Sequence, residues 1–180
     1  MWGKVGDNPS RCQRRNSIVL FMGHAELTID AKGRLAIPSK YRSQLRDGVR
    51  NEGSGSEEGP APRWVAVPWP TGLIRLYPEA TFERLASSTS ESLTPGSDEA
   101  ELEETLYGLA EHVEPDKAGR VVLPKAQVRM VGLPSEVVVV GVRNRLEVRD
   151  RATWAGEIER KFRSLPELVA KRESNQARER

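Results

Sequence analysis

Cysteine is nearly absent from this chain. Cys12 stands alone, so no internal disulfide and no cysteine-rich zinc site can form. Histidine is almost as scarce: His24 and His112 fall in stretches patterned as strands, with no cysteine or carboxylate at metal-ligand spacing, and read as surface residues. Long apolar runs are missing too. The longest candidate, 137–142, is broken by Gly141 and has a strand's length, far short of the roughly eighteen apolar residues a membrane span needs. The N-terminal stretch has basic residues but no apolar segment of signal-peptide length, so nothing points to export. There is no phosphate loop, dinucleotide fingerprint or nucleophile elbow. The reading is therefore not an enzyme, with no cofactor and no metal. Aromatic residues make up only 6% of the chain and suit core filling or subunit contacts better than base stacking.

What the chain does have is segregated charge. The net +2 hides three blocks. Residues 1–50 carry ten Lys/Arg against four Asp/Glu, residues 51–119 four against fourteen, and residues 120–180 fourteen against eight. A basic edge opposed by an acidic one would orient the protein on a polyanion, although solvated faces of mixed sign give the same counts.

The chain also repeats itself. Asp30-Ala31-Lys32-Gly33-Arg34-Leu35-Ala36-Ile37-Pro38 returns 86 positions later as Asp116-Lys117-Ala118-Gly119-Arg120-Val121-Val122-Leu123-Pro124. Asp, Gly, Arg and Pro keep their offsets. Gly33 and Gly119 supply the positive φ of a tight reversal, and Asp30 and Asp116 can bond the amides two or more residues on. Alternation along the next residues sends Arg34, Ala36, Arg120 and Val122 to one face. Pro38 and Pro124 then suit a helix start. The later parts of the two halves match at an offset of 72, Leu73–Tyr77 over Arg145–Arg149, so fourteen extra residues sit in the first copy.

In chain order, 1–20 reads as a disordered basic extension. Residues 24–29 and 34–37 flank the first turn as a β-hairpin, and 39–45 form a short helix. Residues 48–62, rich in Gly, Ser and Glu, make an insertion-like loop. Strands follow at 64–67 and 73–77, then a helix marked by Phe82 and Leu85. A helix over 98–109 carries Leu102, Leu106 and Leu109 as one apolar stripe behind an acidic first turn. The pattern restarts with 111–114, the second turn, a helix at 125–130, strands at 136–142 and 146–149, and a helix from Asp150. Residues 164–180 end as a polar helix or tail. The fold class is α+β, mainly β, with two repeated units in one body.

Phe21-Met22-Gly23, Asp30 to Pro38 continuing into Tyr41-Arg42, Leu76-Tyr77-Pro78, Asp116 to Pro124, Val138-Val139-Val140-Gly141 and Trp154 together resemble the MraZ family of bacterial transcriptional regulators over about residues 21–155. The resemblance implies two tandem AbrB-like swapped-hairpin units forming one pseudo-twofold barrel with flanking short helices. Domain 1 would span 24–79, a linker and acidic helix 80–108, domain 2 109–152, and a C-terminal helix and tail 153–180. It also implies a cytoplasmic, nucleoid-associated DNA-binding regulator, a repressor, of the division and cell-wall gene cluster, assembled as a closed ring of identical chains and independent of membranes. Family members usually begin with Met-Phe where this chain has Leu20-Phe21, so translation from an internal start, without residues 1–19, is one expectation.

Carried over by position, the DNA-contacting signature falls on Asp30, Arg34, Asp116 and Arg120. Lys32 and Lys117 in the turns would neutralise phosphates, and Lys40 and Arg42 on the following helix would add backbone contacts, with Lys125 and Arg129 as looser counterparts. The arginines can fork onto guanine or clamp phosphate. The structural alternative is an ion pair with the preceding Asp that only staples the turn. A ring would repeat the turn at regular spacing, so avidity points to promoter targets made of short direct repeats of double-stranded DNA. Two further readings remain open: an oligomeric protein-interaction module using the acidic middle, and an AbrB-like antitoxin with a toxin-binding tail.

Overall fold

The computed structural model describes residues 19–50, 63–88 and 96–178. The basic extension at 1–18 and most of the insertion, 51–62, lie outside the described residues. Eight strands and five helices follow in the order β1 (His24–Thr28), β2 (Arg34–Ala36), α1 (Ser39–Arg50), β3 (Trp64–Trp69), β4 (Leu73–Pro78), α2 (Glu79–Ala86), α3 (Ser97–Leu109), β5 (Glu111–Val113), β6 (Arg120–Val122), α4 (Lys125–Val131), β7 (Glu136–Val142), β8 (Arg145–Asp150) and α5 (Arg151–Arg178). The architecture is α+β and mostly sheet.

Strand order shows how the two halves combine. One sheet runs β1-β7-β8-β4-β3-β5, and a second holds only β2 and β6. Every one of these pairs is antiparallel. The first strand of each half leaves its own half and joins the hairpin of the other, β1 on β7 and β5 on β3. Equivalent strands meet in the middle, β4 with β8 and β2 with β6. The halves are thus exchanged around an approximate twofold axis.

Two expectations need correction. The strands that flank the first motif do not form a ladder with each other beyond the turn's own Asp30 to Arg34 bond: β1 pairs with β7 from His24 opposite Val140 to Thr28 opposite Glu136, and β2 pairs with β6. A two-stranded hairpin alone cannot bury Leu27, Ile29 and Leu35, whereas exchange gives each strand an apolar surface in the other half. Nor do the strands close into a barrel among the described residues. Strands β2 and β6 are three residues long and pair with each other; among the described residues one isolated bridge, Pro115 to Val121, links the ribbon to the β5 edge of the large sheet.

The core lies on the inner face of the large sheet, where Trp64, Ala66, Ile74, Leu76, Val137, Val139, Leu146 and Val148 join Leu35 and Val121 of the short ribbon, Tyr41 and Leu45 of α1, and Phe21 in one cluster. Leu35 and Val121 are wholly buried; hiding such a side chain contributes about 2 kcal/mol. Phe21 meets the Tyr41 ring edge-on at 5.9 Å and the Trp64 ring at 5.7 Å.

Helix ends differ from expectation. Helix α1 runs on to Arg50 rather than stopping near Leu45, so 48–50 are helical. Helix α5 continues to Arg178 through Pro166, and beyond 164 the polar helix carries an exposed apolar set, Leu165, Leu168 and Val169. The stripe on α3 exists, yet no residue of that helix is buried.

Candidate nucleic-acid interface

The two motif turns share one construction. Asp30 N–H donates to the Arg34 carbonyl at 3.0 Å and Gly33 N–H to the Asp30 carbonyl at 2.8 Å; the second turn repeats both bonds, Asp116 to Arg120 at 2.7 Å and Gly119 to Asp116 at 2.8 Å. Each glycine sits at φ +77°, as a three-residue loop with a left-handed closing residue requires. The Asp30 Oδ1 accepts the Lys32 and Arg34 amides, both at 2.9 Å, and Asp116 Oδ1 accepts those of Ala118 and Arg120 at the same distance.

The second carboxylate oxygen holds the guanidinium. Arg34 Nε donates to Asp30 Oδ2 at 2.6 Å and Arg120 Nε to Asp116 Oδ2 at 2.8 Å. Among the described residues, the Nη1 and Nη2 groups of both arginines have no hydrogen-bond partner. The stapling alternative is therefore realised in part: Nε serves the turn, while the outer edge of each fork stays available. The Arg34 backbone N–H, its guanidinium and the Lys32 N–H hold the Asp30 carboxyl below its ordinary value against the opposing effect of burial, and the matching groups of Arg120 and Ala118 do the same for Asp116. Both aspartates stay anionic, and both guanidinium groups are fixed in direction.

Register brings the two arginines onto one surface. In the β2–β6 ribbon Arg34 faces Val122, Leu35 faces Val121 and Ala36 faces Arg120. Leu35 and Val121 point to the core, so Arg34, Ala36, Arg120 and Val122 share the outer face. The Arg34 and Arg120 side chains are 31% and 41% exposed, and Val122 is 52% exposed. Crosswise bonds lock the ribbon: Ile37 N–H to the Gly119 carbonyl at 3.0 Å and Leu123 N–H to the Gly33 carbonyl at 2.9 Å.

Each turn therefore abuts the other half's helix start. Arg42 Nε donates to the Ile37 carbonyl at 3.1 Å, and the Arg42 side chain lies so close over Gly119 that a Cβ there would stand 2.7 Å from its Cδ, Nε and Cζ. Arg42 thus joins Arg120 and Lys117 at the second turn. Exposed Lys125 follows Leu123 beside the first turn, with Lys32 and Arg34. Lys40 is elsewhere: its Nζ donates to the His24 carbonyl at 3.0 Å, at the end of β1 away from the turn. Exposed Arg129 lies later on α4.

The sequence reading missed a second arginine group, on the outer face of the large sheet. Glu147, buried, takes bonds from Arg145 at 2.9 Å and Arg149 at 2.5 Å and lies 3.5 Å from Arg75 Nε, while Arg75 stacks over Trp69 at 3.5 Å. Burial pushes the Glu147 carboxyl up, and the Arg149 and Arg145 guanidiniums more than reverse it. Alternation in Arg145-x-Glu147-x-Arg149 was the available signal.

A family model described as "MraZ protein, putative antitoxin-like" matches residues 20–53 and 106–173. The chain belongs to the MraZ family. Its similar relatives include the transcriptional regulator MraZ of Dehalococcoides mccartyi, 32% identical over 139 residues that cover 77% of this chain and 87% of the relative. That of Thioalkalivibrio sulfidiphilus is 31% identical over 150 residues, covering 83% and 93%, and that of Nitrosomonas europaea is 29% identical over 140 residues, covering 78% and 87%. The matched stretches include both turns and both ribbon strands. No helix among the described residues is long and apolar enough to cross a membrane.

Proposed function

We propose that this MraZ-family chain is a non-catalytic transcriptional regulator that grips double-stranded DNA with the β2–β6 ribbon. The observation that carries the reading is the pairing of Arg34 and Arg120 on one exposed face, each held by an aspartate through Nε with its Nη edge open. A two-stranded ribbon fits the major groove of B-DNA, where an arginine fork matches guanine O6 and N7. Lys32, Lys117, Arg42 and, next to the first turn, Lys125 surround that face with cations suited to phosphates. Asp30 and Asp116 aim the arginines and fix the turns without touching the polyanion. Lys40, tied to the His24 carbonyl, would reach a phosphate only from the flank of the ribbon.

The strand exchange supports an AbrB-like relationship of the two halves. One chain offers a single ribbon, too small for tight binding alone. Several chains in a closed ring would present the ribbon repeatedly to short direct repeats, and linkage of weak sites raises affinity by orders of magnitude. On the resemblance, the target is the promoter of the division and cell-wall gene cluster, where the protein acts as a repressor in the cytoplasm and on the nucleoid.

A footprint over the promoter upstream of the protein's own gene tests this. We expect protection in short, evenly spaced blocks, lost as salt rises and lost in Arg34→Ala with the fold intact by circular dichroism. Unchanged promoter affinity in that variant would refute the role of the ribbon.

A further inference from the structure

Two apolar surfaces on this chain have no cover among the described residues, and they complement each other. The first is a groove of about 460 Å³ between α3, the β3–β4 turn and the end of α4, lined among others by Val67, Trp69, Leu102, Leu106, Met130 and Val131. Leu102 is 63% exposed and Met130 59%, large values for side chains of this kind placed side by side. The α3 helix carries Asp98, Glu99, Glu101, Glu103 and Glu104 and no Lys or Arg. Asp98 and Glu101 extend the Leu102, Thr105, Leu106, Leu109 face by one helical turn, so the groove has an acidic end.

The second surface is on α5. Ile158, Phe162, Leu165 and Val169 recur at intervals of four, three and four residues, with Leu168 alongside, and all five are exposed, Phe162 at 73%. The spacing puts them on one stripe. The helix carries seven Lys/Arg against four Asp/Glu. Lys171 and Arg172 form no ion pair with the described residues, and Arg172 continues the stripe beyond Leu168. From Ile158 to Val169 the stripe runs roughly 17 Å, the same as from Asp98 to Leu109 on α3. No residue of α5 lines the groove in its own chain.

We propose that the α3 groove of one chain receives the apolar stripe of α5 from a second copy, with Lys171 and Arg172 meeting the acidic end of α3. The occupant follows from opposite charge and equal length on surfaces that a single chain leaves unmatched. The inference rests on the self-assembly proposed above and specifies its contact. Apolar burial supplies the driving force, and the charge pairing sets direction by penalising reversed docking.

Phe162→Asp and Leu102→Asp each change an exposed side chain, so the fold should survive in both. By sedimentation equilibrium each variant alone is expected to lose self-association by about a hundredfold or more in dissociation constant, as for a charge placed in a binding hot spot. Mixed one to one, they should form heterodimers, because Phe162→Asp retains an intact groove and Leu102→Asp an intact stripe. Wild-type mass in either single variant, no recovery on mixing, or a wild-type chain that stays monomeric would each overturn the docking. Promoter binding, measured on the same samples, separates the two readings. Wild-type assembly in Phe162→Asp and Leu102→Asp, together with promoter binding lost in Arg34→Ala, would sink the docking while keeping the regulator. Dissociated variants that bind the promoter as tightly as wild type would support the docking and sink the avidity of the ring.

Discussion

The two motif turns have the same backbone and different neighbours. Both close with the same bonds, both place glycine at φ +77°, and both hold an arginine by its Nε. Around the second, Arg42 lies against Gly119; at the first, a Cβ on Gly33 would come no nearer than 3.8 Å, to the Leu123 carbonyl. The difference arises because α1 carries Arg42 where α4 carries Val128, which packs on the core. Duplication thus preserved what the turn needs to form, and divergence acted on what flanks it. The same separation recurs one layer down. Tyr41 Oη donates to the Gly23 carbonyl at 2.8 Å, and its repeat counterpart Gln127 donates to the Leu109 carbonyl at 2.8 Å and the Ala66 carbonyl at 3.1 Å. Two unlike side chains anchor the equivalent approach to the first strand of each half.

That comparison can be broken at several points, beginning with the anchors. Gln127→Leu should cost about 2 kcal/mol in urea denaturation, since the buried bond to the Ala66 carbonyl and the part-buried one to the Leu109 carbonyl are both lost, while removal of its own unpaired buried Oε1 offsets part of the loss. Tyr41→Phe loses one bond and should cost about 1 kcal/mol. Equal costs would mean that the anchors are not specialised.

Next come the turns. Gly33→Ala and Gly119→Ala should each cost about 1–2 kcal/mol for the left-handed backbone. Only Gly119→Ala also displaces Arg42, a flexible side chain, so stability should fall alike while DNA affinity falls further at Gly119. Equal affinities would remove Arg42 from the interface.

The smallest effect concerns acid. The Asp30 and Asp116 carboxyls lie below their ordinary value of 3.8, so the stability they contribute is fully present above that pH and is lost as pH falls through the lowered values. Asp30→Asn with Asp116→Asn should flatten the pH dependence of stability below about 4, and an unaltered profile would show that the turns do not depend on these charges.

Much of this was legible in the residues because the relevant signals are local. Asp, Gly, Arg and Pro at fixed offsets specify a turn, and alternation alone assigns Arg34, Ala36, Arg120 and Val122 to one face, as the register shows. Pairing partners were not legible. The pattern of Ala25, Leu27 and Ile29 demands a buried face without saying whose, so the hairpin expected within each half became an exchange between halves. The resemblance supplied the swap, but not the sheet split or the absence of closure. Arg42 was named for the helix it sits on, whereas its place over Gly119 depends on the exchange. Past residue 164, polar composition hid Leu165, Leu168 and Val169, whose helical spacing was the available signal.

The central claim is that Arg34 and Arg120, one from each half, work as a single contact on one ribbon. A double-mutant cycle in promoter binding by fluorescence anisotropy, with Arg34→Ala, Arg120→Ala and the pair at several salt concentrations, tests it most directly. The account predicts that each single variant loses most of the specific affinity and that the pair loses less than the sum, because one ribbon seats in the groove as a unit. Independent, additive losses, or a double variant that binds as tightly as the wild type, would contradict it.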